Sequence, residues 1–148
     1  MDIEGEYVIE APRDAVWTAL NDLDVLQSCI PGCQSMEAVS DSEFQCVVVS
    51  KIGPVKAKFK AKIELTNVDA PTSYTLSGKG EGGVAGFGQG SADVQLADVA
   101  EGTQLNYAAR VTTGGKIAQV GSRLIASTTR KLADQFFSSF REQFSDAS

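Results

Sequence analysis

Val55-Lys56-Ala57-Lys58-Phe59-Lys60-Ala61-Lys62-Ile63-Glu64-Leu65 alternates apolar and charged residues without a break. Successive side chains of a strand point to opposite faces, so period two marks a strand with one face buried. Val55, Ala57, Phe59, Ala61, Ile63 and Leu65 share the inner face; Lys56, Lys58, Lys60, Lys62 and Glu64 share the outer one. A looser version of this pattern runs on both sides of it. It predicts strands near 34–39, 43–52, 55–67, 73–81, 86–97 and 103–112. Their links are short and rich in turn formers: Ser40-Asp41-Ser42, Gly53-Pro54, Asp69-Ala70-Pro71-Thr72 and Ala100-Glu101-Gly102. Short links favour antiparallel neighbours, because parallel strands need long crossovers.

The period changes after Thr113-Gly114-Gly115. Ile117, Val120, Leu124, Thr128, Leu132, Phe136 and Phe140 recur at helical spacing, which predicts one amphipathic helix over 115–144. Phe144 extends the stripe and Phe137 flanks it. At the other end, Met1, Ile3, Tyr7 and Ile9 alternate with Asp2, Glu4, Glu6 and Glu10 as a first strand. Pro12 suits a helix start, and Val16, Trp17 and Leu20 form the stripe of a short helix. Asn21-Asp22 breaks it. Leu23, Leu26 and Ile30 mark a second short helix, which Pro31-Gly32 ends. The order predicts a single α+β domain over 1–148. A curved antiparallel sheet of about seven strands wraps a long C-terminal helix, and two short helices follow the first strand. Such a pairing can enclose a cavity.

Composition narrows the function classes. At 148 residues the chain is long enough to bury a core without disulfide or metal staples. The net charge of −6 argues against nucleic acid, whose phosphates need a basic face. There is no histidine, which removes the commonest general base and metal ligand. Cys29, Cys33 and Cys46 are odd in number, and no leader pattern opens the chain. Reduced thiols and a cytoplasmic location are expected. Cys29 and Cys33 stand four apart, not at redox C-x-x-C spacing, and a closed zinc site lacks ligands; small buried cysteines near a turn are the simpler reading. No metal or cofactor is expected.

The run Gly78-Lys79-Gly80-Glu81-Gly82-Gly83 matches G-x-G-x-x-G in form. A strand pattern follows it, whereas the dinucleotide fingerprint needs a helix there. Strand phase is more informative. Tyr74 and Leu76 face inward, so Gly78 and Gly80 do too; Ala92, Val94 and Leu96 extend the same rule to Gly88 and Gly90. Four inward positions therefore carry no side chain. They either open volume for a ligand or ease curvature and close packing. The lysine row is either a docking face for an acidic protein or phospholipid, or a solvated outer face that protects an edge. Most carboxylates, Asp93 among them, fall on outward phases, so no inward acid–base pair is visible. Tyr7, Tyr74 and Tyr107 face inward, where a hydroxyl could orient a ligand or serve the core.

Ala11-Pro12-Arg13-Asp14-Ala15-Val16-Trp17, Cys29-Ile30-Pro31-Gly32-Cys33, Lys51-Ile52-Gly53-Pro54-Val55-Lys56-Ala57 and Gly114-Gly115-Lys116-Ile117-Ala118-Gln119-Val120-Gly121 resemble the carbon monoxide dehydrogenase G-subunit family. The likeness covers nearly the whole chain. It implies the START-like, helix-grip (SRPBCC) fold and an accessory role without catalysis. It also implies service to a molybdenum-containing dehydrogenase, by bringing the enzyme to the inner face of the cytoplasmic membrane or by holding a quinone or lipid. Many relatives carry a Pro/Ala-rich linker and an apolar tail after this domain; this sequence shows neither. Two other readings remain open: a START-like cyclase or dehydratase, and a pure protein-interaction module. If a hydrophobic molecule is held, the expected contacts are Trp17, Phe44, Cys46, Phe59, Tyr74, Gly88, Tyr107, Leu124 and Thr128. The expected docking residues are Lys56, Lys58, Lys60 and Lys62.

Overall fold

Seven strands pair in one antiparallel sheet: β1 (Asp2–Ile9), β2 (Cys33–Ala38), β3 (Glu43–Ile52), β4 (Val55–Asp69), β5 (Ser73–Glu81), β6 (Phe87–Val99) and β7 (Gly102–Gly114). The computed structural model describes residues 2–145, so the expected inward place of Met1 lies outside the described residues. The spatial order is β1-β7-β6-β5-β4-β3-β2. Only β1 is out of chain order, because α1 (Arg13–Leu20) and α2 (Leu23–Cys29) carry the chain from one edge of the sheet to the other. The sheet is open, with β1 and β2 as its edges. The register of β2 on β3 shifts between Cys33 and Ser35, and Arg141 Nε donates to the Val8 carbonyl of β1 at 3.1 Å.

The alternation read on β4 holds. Val55 is buried, Ala57 to Leu65 on the same phase are half-buried, and all four lysines are exposed. One expectation fails: β4 lies between β3 and β5. The lysines therefore protect no edge.

The connections explain themselves locally. Asp22 caps α2, its side chain accepting from the backbone N–H groups of Asp24 and Val25. Gly32 follows α2 at a φ of +77°, where a Cβ would lie 2.1 Å from the Val49 carbonyl oxygen. The fully buried Thr103 donates from Oγ1 to the Ala11 carbonyl at 2.7 Å, fastening the start of α1 to β7.

The long helix differs from expectation at its start. Residues Gly115–Val120 form a 3-10 segment, Gly121 turns at a φ of +98°, and only then does α3 (Ser122–Ser145) begin. The buried face also differs. Ile125, Phe137 and Phe140 are buried, whereas Leu124, Thr128 and Phe136 are half-buried. A step of four residues advances about 40° beyond one full turn. A stripe drawn at strict spacing of four therefore drifts off the face that packs. Phe137 lies inside the core, not on its flank.

Two packed clusters stand at opposite ends of the sheet. The larger holds Ile9, Val16, Leu20, Leu96, Leu105, Phe137 and Phe140. The smaller holds Val55, Ala85 and Ile117. α3 packs against α2, β1 and β3. The middle of the sheet lies between these supports.

Candidate functional site

Between the sheet and α3 lies an apolar cavity of about 660 Å³. Its floor is β-sheet: Phe44, Ile63, Leu76, Ala92, Val94, Leu105 and Ala109. Thr129, Leu132, Ala133, Phe136 and Phe137 of α3 form the roof, and Leu23, Leu26 and Ile30 close the side. Of its lining residues Asn21, Ala38, Ser40 and Asp41 are exposed. They set the mouth between the α1–α2 turn and the β2–β3 hairpin. Among the described lining residues only Asp41 and Glu43 are charged, and both sit at that mouth.

Two tyrosines line this apolar space, Tyr74 and Tyr107, the latter with its hydroxyl lying over Gly5 of β1. Tyr107 lines it and stacks with Phe137, centroids 6.1 Å apart. Burial raises its pKa, although a hydrogen bond with Tyr7 pulls the other way. Tyr7 stacks on Phe137 at 4.2 Å, and its hydroxyl donates to the Asp134 carboxylate. Burial first, then that hydrogen bond, raises its pKa strongly. Tyr74 is different. It is 6% exposed, lines the cavity, and its hydroxyl has no hydrogen-bond partner among the described residues. Burial alone raises its pKa, so it stays a phenol across the physiological range.

A second, smaller hollow of about 350 Å³, an open trough lined by β4 to β7 alone, continues the floor. Ile63, Leu76, Ala92 and Ala109 line both. Its own floor contains two cross-strand glycine pairs, Gly78 with Gly90 and Gly80 with Gly88. The four glycines divide into two kinds. A Cβ on Gly90 would meet the Arg110 carbonyl oxygen at 2.4 Å, and one on Gly78 would press the Lys62 carbonyl oxygen at 3.3 Å. Those two serve close backbone packing. A Cβ on Gly80 would touch nothing nearer than 3.7 Å, and one on Gly88 nothing nearer than 4.0 Å. Neither has a positive φ. A glycine inside a strand costs about 0.5–1 kcal/mol relative to alanine, and backbone packing gives no return at these two positions.

The expected contacts separate accordingly. Phe44, Tyr74 and Tyr107 line the main cavity, and Gly88 lines the second. Trp17 stands behind Tyr74, edge-on at 5.2 Å. Cys46 follows the phase of Phe44 on β3, outside the main lining. Phe59 belongs to the small cluster and covers Gly82. Leu124 lies over Gly53, and Thr128 gives way to Thr129 as the lining residue. Sequence reasoning missed the α2 and hairpin residues at the mouth. Their signal, apolar residues beside Pro31 and Asp41, reads as ordinary turn flanks.

Other chemistry finds little support in the geometry. Cys29 and Cys46 are buried, and burial pushes the Cys46 thiol up to about 11. Buried, protonated thiols are poor nucleophiles. Among the described residues no group of three or more metal-ligating side chains comes together. No helix among them is long and apolar enough to cross a membrane. Lys56, Lys58, Lys60 and Lys62 project from the outer face and make no ion pair among the described residues.

Comparison with known proteins places this architecture. The family described as the carbon monoxide dehydrogenase G subunit (CoxG) matches residues 5–145. No curated protein matches the chain. Among solved structures, a conserved protein from Geobacillus kaustophilus superposes with a TM-score of 0.93 at 29% identity, over 99% of this chain and 97% of that one. A protein from Thermus thermophilus gives 0.75 at 15% identity over the whole of both chains. One from Chromobacterium violaceum gives 0.72 at 11% identity over 95% of each. The last two share the fold.

Proposed function

As the chain belongs to the carbon monoxide dehydrogenase G-subunit family, we propose that it is a non-catalytic accessory protein of a molybdenum-hydroxylase system. It holds a hydrophobic molecule, a quinone or a lipid, between sheet and helix. The observation that supports this reading is the apolar cavity of about 660 Å³ with charge confined to its mouth. Ligand sites are concave, mostly apolar and equipped with a few convergent polar groups; Tyr74 and Tyr107 are those groups. A cyclase or dehydratase would need an acid–base pair facing the substrate. The main cavity's carboxylates stay at the rim, and the phenols inside are held protonated.

The test is native mass spectrometry of the purified protein, followed by organic extraction. A bound quinone or lipid, released on extraction and taken up again from vesicles, is the expected result. Ala109→Phe, which fills the cavity floor, is expected to abolish uptake without unfolding the protein. A protein that neither carries nor takes up either class would overturn the reading.

The lysine row supports a second role in the same proposal. Ammonium groups on alternate residues lie about 7 Å apart along a strand. Four of them, exposed and without an ion pair among the described residues, form a surface for recruitment to anionic phospholipid at the inner face of the cytoplasmic membrane or to an acidic face of the dehydrogenase. Replacing all four with glutamine is expected to leave folding intact and to weaken binding to anionic liposomes or to the enzyme. Unchanged binding to both would remove this role.

A further inference from the structure

We infer that the cavity and the adjoining trough take one ligand in one orientation: a head carrying an acceptor oxygen on the hydroxyl of Tyr74, and a linear apolar tail laid along the trough over Gly80 and Gly88. This rests on the reading of the main cavity as a ligand site and goes beyond it. It names the anchor, the tail subsite and the ligand's shape.

Two independent observations carry it. The first is the phenol of Tyr74, 6% exposed, lining the cavity, with no protein partner among the described residues. The hydroxyl is thus left free to donate to whatever fills the cavity that the residue lines. A phenol donates to an acceptor oxygen, and in an apolar cavity an uncharged one, such as a carbonyl, avoids the cost of burying a charge. The second is the continuity of cavity and trough through Ile63, Leu76, Ala92 and Ala109. Past those residues the open trough is bare at Gly80 and Gly88, where the backbone accommodates a side chain and the chain supplies none. From Tyr74 to Gly80 the strand advances six residues, or about 20 Å. A compact molecule anchored at Tyr74 leaves the trough unused; a tailed one fills it.

The orientation follows from these positions. Tyr74 is the fixed point on β5, and Gly78 and Gly80 lie farther along the same inward phase, toward the small cluster of Val55, Ala85 and Ile117. The tail therefore runs parallel to β5 and β6, past Ser77, the level of Glu43 in the register, and on toward that cluster.

The experiment uses the intact protein and three probes: decylubiquinone, its tail-less parent quinone, and decylbenzene, which has a tail and no oxygen. Binding is read by calorimetry, and the fold of each variant by circular dichroism and thermal unfolding. Tyr74→Phe is expected to weaken decylubiquinone by up to about tenfold, the worth of one hydrogen bond, and to leave decylbenzene unchanged. Gly80→Val and Gly88→Val are each expected to weaken decylubiquinone and decylbenzene while sparing the tail-less quinone. Equal effects of Tyr74→Phe on decylubiquinone and decylbenzene, or none on either, would overturn the anchor. Valine variants that weaken the tail-less quinone as much, or that spare decylubiquinone, would overturn the tail trough. Wild-type protein that binds none of the probes would overturn the cavity reading itself, which separates the two failures.

Discussion

At position 32 the backbone takes a φ of +77°, and a Cβ would lie 2.1 Å from the Val49 carbonyl oxygen. Both facts require glycine, and Gly32→Ala is expected to cost about 1–3 kcal/mol, read by urea denaturation. Cys46 gives a pH signature. Burial raises its thiol from 9.0 to about 11, so the folded state keeps a proton that the unfolded state has already released. The stability tied to this proton is fully present below pH 9 and is lost as pH rises toward about 11. Chemical denaturation at a series of alkaline pH values is expected to show that decline, and Cys46→Ala to flatten part of it. Much was legible at this scale. The inward phases of Phe44, Tyr74, Tyr107 and the glycines follow from period two alone. The missing partner of Tyr74 was not legible, because it depends on what the other elements leave unfilled.

At the scale of elements, β4 was readable because five charged residues alternate with six apolar ones in a single run. Its central place in the sheet was not, since alternation reports a face and says nothing of neighbours. α3 was readable as a helix but not in its start or its phase. Gly114-Gly115 looked like its approach, whereas Gly121 makes the turn. The Gly121-Ser122 pair was the signal, a flexible residue followed by a helix-capping type. Phe140, on the expected stripe and fully buried against the larger cluster, is the main fastening of the helix. Phe140→Ala is expected to destabilise by about 3–5 kcal/mol in the same denaturation assay. Phe144→Ala, at a half-buried site, is expected to cost less.

For the whole molecule, the order of elements was enough to foresee a sheet wrapped on a helix. The cavity's shape depended on details that no pattern encodes: α3 rests on α2, β1 and β3, and small side chains lie beneath the gap. A ligand that binds only the folded state raises stability in proportion to the logarithm of its free concentration over Kd, by about 2.7 kcal/mol at a hundredfold excess. Adding decylubiquinone is therefore expected to raise Tm in wild-type protein and not in Ala109→Phe. The open sheet has one more consequence. An unclosed ribbon of seven strands has two margins, and a bare margin invites another chain to zip onto it. One margin is short and out of step after Cys33; the other bristles with Asp2, Glu4 and Glu6 and has a carbonyl already claimed by Arg141. Crowded copies of the molecule thus meet borders that discourage strand-to-strand stacking, although the ribbon never seals itself into a barrel.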